Sequence, residues 1–152
     1  MKPIPLVFAF STLFFTLSAQ PPAAVSTPAI APAAKLQSDV YAWEKLPVTP
    51  NAKGVRRAVF DGPSTTTDKI HCHITTLNPG QKSGEPSKHL QEEIIIVKEG
   101  TVEANWDGQS KTGGPGSVIF FAAGATTFLR NAGPTPCTYT VINYYTPLTP
   151  KS

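Results

Sequence analysis

Apolar and polar positions alternate through the middle of the chain with the period of a strand. Ile70 to Leu77 alternates and stops at Asn78-Pro79-Gly80, where Pro fixes one torsion and Gly frees the next. Glu93 to Lys98 carries Ile94, Ile95, Ile96 and Val97, a run too short for a helix and rich in β-branched side chains that suit a pleated surface. Glu99-Gly100 turns the chain into Thr101 to Trp106. Asp107-Gly108 is a two-residue hairpin signal, and a short strand then reaches Gly113-Gly114-Pro115-Gly116. Ser117 to Ala122, Thr126 to Arg130 and Cys137 to Tyr145 complete the series that Val55 to Phe60 opens. About eight strands with regular turns, and no helical period of useful length, predict an all-β sandwich, jelly roll or small barrel.

The two ends break this pattern. Lys2, the mostly apolar Pro5 to Leu17 and the small pair Ser18-Ala19 predict a signal peptide over residues 1–19, and with it a secreted or periplasmic protein. Residues 20–34, QPPAAVSTPAIAPAA, hold no charge and no aromatic ring. Such a stretch buries too little to fold and reads as a disordered linker. Residues 35–54 form an N-terminal arm in which Tyr41, Trp43 and Leu46 are available to lie over the barrel. The strands occupy residues 55–146, and 147–152 is a tail. With 152 residues in all, one domain is expected.

Charge and cysteine content narrow the function classes. Thirteen basic and ten acidic residues leave a net charge of +3, dispersed along the chain, which gives no footing for nucleic acid. No run of roughly 20 apolar residues follows the N-terminus, so no membrane association is expected after signal cleavage. Cys72 and Cys137 are the two cysteines. In an oxidising compartment they can pair, and as separate buried thiols they act as small apolar groups; the sequence leaves both open.

A second spacing overlies the strands. His89 precedes Glu93 by three intervening residues, and six more separate Glu93 from Gly100. Further on, Gly116, Gly124 and Asn131 fall at fixed gaps. These residues, within HLQEEIIIVKEGTVEANWDG and GPGSVIFFAAGATTFLRNAG, resemble the two motifs of the cupin superfamily, G-x5-H-x-H-x3,4-E-x6-G and G-x5-P-x-G-x2-H-x3-N. The chain is similar to small single-domain bacterial cupins over Asn78 to Asn131. The resemblance implies a cupin-type jelly-roll β-barrel. It also shows departures: Ser87 stands at the first histidine, Thr127 at the last, Ala122 at the proline, and Gln81 at the opening glycine.

The full family set places imidazoles and one carboxylate in a single pocket, because residues two apart on a strand share a face. Those donors suit a divalent transition metal with open positions for substrate. This chain keeps His89 and Glu93 of that set and puts hydroxyls at Ser87 and Thr127. The four are therefore candidates for a ligand pocket, with no cofactor expected. The alternative is a divalent transition metal held by His89, Glu93 and His73 or His71. His71 and His73 share one face of their strand, and the opposite face carries Ile70, Cys72 and Ile74, which favours the histidines pointing away from an apolar core. A ligand-filled lumen is itself partly polar, so the pattern does not decide. Arg130 reads as a surface residue, with an anionic ligand as the other option. Trp106, Phe120, Phe121 and Phe128 read as core. No nucleophile elbow or phosphate-cradling glycine loop is present, and no catalytic residue is assigned.

Three functions remain open. The first is an exported barrel that binds a sugar or small carboxylate, which the resemblance implies for cupins with incomplete motifs. The second is a metal-dependent enzyme of the dioxygenase or isomerase kind. The third is a structural or interaction module at the cell envelope. Enzyme activity is left undecided. The expected partner is an unidentified small-molecule ligand, and a homodimer is compatible with the family.

Overall fold

A computed structural model describes residues 33–150. The signal peptide, all but the end of the linker, and residues 151–152 lie outside the described residues. Ten strands run through this region: β1 (Val48–Asn51), β2 (Gly54–Gly62), β3 (Lys69–Leu77), β4 (Ser87–Lys88), β5 (Glu92–Glu99), β6 (Val102–Trp106), β7 (Gln109–Gly113), β8 (Val118–Phe121), β9 (Thr126–Asn131) and β10 (Cys137–Tyr145). One turn of 3-10 helix, Trp43–Lys45, is the only helix among them. All ladders are antiparallel. One sheet has the order β1-β2-β3-β10-β5-β8 and the other β4-β9-β6-β7. This is the jelly-roll arrangement that the cupin resemblance implies, and one of the all-β architectures that the turn spacing predicts.

Local chemistry sets the turns. Asp107 and Gly108 both have positive φ, 44° and 80°, as a two-residue hairpin turn requires, and they join β6 to β7. Gly100 sits at φ +76° where a Cβ would lie 2.6 Å from Cα of Cys137, so only glycine fits between β5 and β6.

The core lies between the sheets. Ile95, Val97, Val102, Ala104, Phe121, Leu129, Tyr139 and Val141 are buried there, with Leu77 and Cys137 at one end. Each large aliphatic side chain of this set contributes about 1.5–3 kcal/mol by leaving water.

Two short strands were not visible in the sequence pattern. β1 falls within the segment read as an arm; its four residues are all exposed, so it shows no alternation. β4 is two residues long. The rest of the arm crosses the outer face of the larger sheet. Leu46 is buried, Tyr41 packs on Phe60, and Trp43 takes Arg57 at 4.3 Å and Lys98 at 3.5 Å against its ring. That cover explains why Ile70, Cys72 and Ile74 are apolar although they point outward.

The cysteines are free. Cys137 opposes Leu77 on the β3–β10 ladder while Cys72 opposes Ile142, five residues further along β3. That offset is about 16 Å at strand rise, beyond the roughly 7 Å a disulfide spans, and the two thiols point to opposite faces. The bridge left open by the sequence does not form within this fold.

Candidate functional site

A cavity of about 500 Å3 opens between the two sheets. All four sequence candidates line it: Ser87 on β4, His89 in the β4–β5 connection, Glu93 on β5 and Thr127 on β9. Ser87 and Thr127, the two positions where the motifs call for histidine, are direct partners on the β4–β9 ladder. His71 and His73 also line the cavity. The expectation that they point away from the core is overturned: their face is the inward one, and it is Ile70, Cys72 and Ile74 that face the arm-covered exterior.

Register organises the wall. Asp61, His71, Asn143, Glu93 and Phe121 form one cross-strand row over β2, β3, β10, β5 and β8. The next row runs Ala58, His73, Val141, Ile95 and Ile119, polar at β3 and apolar across β10, β5 and β8. The cavity thus joins a polar wall on β2 and β3 to apolar surface at Val141, Ile95 and Phe121, the usual mix of a small-molecule site.

The motif side of the cavity is linked by hydrogen bonds. The Gln91 amide donates to Nδ1 of His89 at 3.4 Å, so the neutral imidazole carries its proton on Nε2 and donates to Ser87 Oγ at 3.1 Å. Burial pushes the Glu93 carboxyl above its ordinary range, while His89 and the Asn143 side chain pull it partly back. Asn143 Oδ1 and the Tyr139 hydroxyl are buried without a partner; the hydroxyl faces Thr75, but not in hydrogen-bonding geometry. Two orphaned polar atoms against one cavity are what a site built for a polar guest would leave.

Sequence reasoning named His71 and His73 but missed Arg56 and Asp61, which join them in a second polar group on the β2–β3 wall. Arg56 Nη2 lies 2.9 Å from His71 Nε2, that nitrogen lies 3.1 Å from His73 Nδ1, and His71 Nδ1 lies 3.3 Å from Asp61 Oδ1. Asp61 also pairs with Lys69 at 3.1 Å. Burial, helped by Arg56 and His71, lowers His73 to about 4. Arg56 and Asp61 are five residues apart, and in a regular strand they would face opposite ways. A bulge between Ala58 and Phe60 shifts the phase and turns both inward.

Other expectations divide. Arg130 is bound to Glu103 at 2.6 Å on the surface and does not line the cavity. Phe121 is buried, Trp106 packs against the core, and Phe128 lines the cavity. Phe120 is a correction: it points outward from β8 and is 57% exposed. Among the described residues, no three His, Cys, Asp or Glu side chains converge so as to hold a metal ion, and the set His89, Glu93 and His73 is no exception. The motif positions supply one imidazole, one carboxylate and two hydroxyls, and the imidazole's Nε2 is occupied by Ser87. This donor set does not fit the three imidazoles and one carboxylate of a complete cupin site.

Comparison with known proteins agrees with the geometry. The family model described as the cupin domain matches residues 73–143. The chain carries a cupin domain. Solved cupins resemble it in fold. A sugar phosphate isomerase of the cupin superfamily from Silicibacter pomeroyi is 26% identical at a TM-score of 0.50, the match covering 60% of this chain and 60% of that one. A protein described as a predicted oxalate decarboxylase from Thermotoga maritima is 15% identical at a TM-score of 0.59, over 70% of this chain and 99% of that one. An RmlC-like cupin from Shewanella frigidimarina is 17% identical at a TM-score of 0.57, over 74% and 96%. The last two speak for the fold alone. No curated protein matches the sequence. The cupin-domain match begins at His73, so Arg56 and Asp61 on β2, and His71 two residues earlier on β3, precede it.

Proposed function

We propose that this cupin domain is a binding barrel for a sugar or small carboxylate, in a protein exported by its N-terminal signal. The observation that carries the reading is the cavity itself. Its volume of about 500 Å3 suits a single small ligand. Ser87, His89, Glu93 and Thr127 give one side donors and acceptors, and the unpartnered Asn143 Oδ1 gives the back wall another acceptor. The apolar side chains of Ile95, Phe121 and Val141 supply a surface for the carbon skeleton.

Thermal unfolding with a panel of monosaccharides, sugar acids and simple carboxylates tests this. A true ligand at a hundred times its Kd stabilises the fold by about 2.7 kcal/mol. At least one class is expected to raise Tm in wild type, with the rise lost in Glu93→Gln and His89→Ala. A panel without any shift, or shifts unchanged in both variants, overturns the reading.

A further inference from the structure

The cluster on the β2–β3 wall fixes its own protons. A guanidinium has only donors, so the 2.9 Å contact from Arg56 requires His71 Nε2 to accept. His73 Nδ1 is 3.1 Å from the same nitrogen and must therefore carry a proton, since otherwise two lone pairs would face each other. The His71 proton is then on Nδ1, the atom that faces Asp61 Oδ1 at 3.3 Å and has no other partner. One ring nitrogen is left over. Nε2 of His73 is a bare acceptor on a cavity-lining side chain, with no hydrogen bond among the described residues.

The cations beside it are also unspent. Arg56 lines the cavity, is exposed, gives one N–H to His71, and makes no ion pair among the described residues. Lys53 lines the same wall and likewise has no ion-pair partner among those residues. A simple anion would satisfy these two cations but would present only oxygens to His73 Nε2, acceptor against acceptor. A neutral sugar would satisfy His73 and leave the cations bare.

We propose that this wall recognises an anionic polyol: an oxyanion on the free donors of Arg56 and on Lys53, and a neighbouring hydroxyl that donates to Nε2 of His73. His71 is a positioning residue that holds the His73 proton on Nδ1 and so aims a lone pair at the ligand. The proposal rests on the cavity being the ligand site and names the class of molecule that fills it. The oxyanion is a carboxylate or a phosphate, since a guanidinium fork suits both.

Two measurements test it. In the ligand-free protein, nitrogen NMR of the rings is expected to show Nδ1 protonated and Nε2 bare at His73. In His71→Phe the acceptor is gone, and the His73 proton should redistribute toward Nε2. A His73 protonated on Nε2 in wild type overturns the assignment. Calorimetric titration then uses gluconate, glucose 6-phosphate, glucose and hexanoate. Gluconate or glucose 6-phosphate is expected to bind at least about tenfold more tightly than glucose or hexanoate, a difference of about 1.4 kcal/mol. The stronger of the two identifies the oxyanion. Arg56→Gln should erase the preference over glucose, and His73→Phe the preference over hexanoate. Arg56 is exposed, so its variant tests recognition and leaves the core intact. Tight binding that survives both substitutions and is lost in Glu93→Gln overturns the inference but keeps the cavity as the site. No binding of any probe to wild type overturns both.

Discussion

Asn143 stands directly opposite Glu93 on the β5–β10 ladder, and directly opposite His71 on the β3–β10 ladder. Its side chain is turned to the Glu93 carboxylate, and this leaves its own Oδ1 buried without a donor. Together with His89, this amide supports a carboxylate that burial would rather keep neutral.

That relationship makes Glu93 a source of pH dependence. Its folded pKa is raised above the ordinary 4.5, chiefly by burial. Between the unfolded and folded values the native state holds more protons, so stability falls as pH rises through this window and stays lower above it. Glu93→Gln removes the penalty and offers an N–H to the orphaned Asn143 Oδ1, a neutral hydrogen bond worth about 1 kcal/mol. The variant is expected to have the higher Tm at neutral pH and to lose its advantage in acid below the unfolded value. Asn143→Leu should move the Glu93 carboxyl further up, as carbon NMR of the carboxyl reads directly. A Tm gap between Glu93→Gln and wild type that is independent of pH would show that Glu93 is not buried as described.

Asn131, the motif asparagine, does different work. It is fully buried, donates from Nδ2 to the carbonyls of Leu77 at 2.9 Å and Thr135 at 2.8 Å, and accepts from the Gly133 N–H at 2.9 Å. It ties the end of β9 to the end of β3 and to the loop before β10. Asn131→Ala leaves these backbone groups unpaired, the Leu77 carbonyl in a buried position, at a cost of about 2–4 kcal/mol. Urea unfolding should show a lower midpoint with an unchanged slope. Ligand affinity of the folded variant should match wild type, because Asn131 does not line the cavity.

The sequence shows most of the fold because its strands carry their own punctuation. The Asp107-Gly108 turn, the β-branched run at Ile94 to Val97 and the glycines at 100, 116 and 124 each act locally, so each is readable locally. β3 shows where that stops. Both of its faces are partly buried, one by the arm and one by the opposite sheet, so apolar alternation does not say which face is inside. The site was legible on its motif side, through Ser87, His89, Glu93 and Thr127. On the β2–β3 wall His71 and His73 were legible, but Arg56 and Asp61 were not, because they share a face only through a bulge, and nothing in VRRAVFDG announces one. Asn143 had a faint signal: it is the polar member of the inward series Cys137, Tyr139, Val141 and Asn143.

The metal question separates a binder from an enzyme. Three imidazoles and a carboxylate hold a divalent ion because four strong donors outcompete water together. Here the same positions carry Ser87, His89, Glu93 and Thr127, and neutral hydroxyls are weak ligands for such ions at neutral pH. His73 does not make up the loss. It lies on β3, two strands from Glu93, and its Nδ1 faces His71. Nor is His89 free, since Ser87 Oγ occupies its Nε2 at 3.1 Å. Surrounding hydrogen bonds tune a site but rarely substitute for direct ligands. The purified protein is therefore expected to retain no stoichiometric transition metal after dialysis. Elemental analysis of wild type, His89→Ala and His73→Ala should give the same low content in all three. A stoichiometric metal in wild type that disappears in both variants would mean that β3 and the β4–β5 connection close on an ion, and the domain would then be a metalloenzyme candidate rather than a binding barrel.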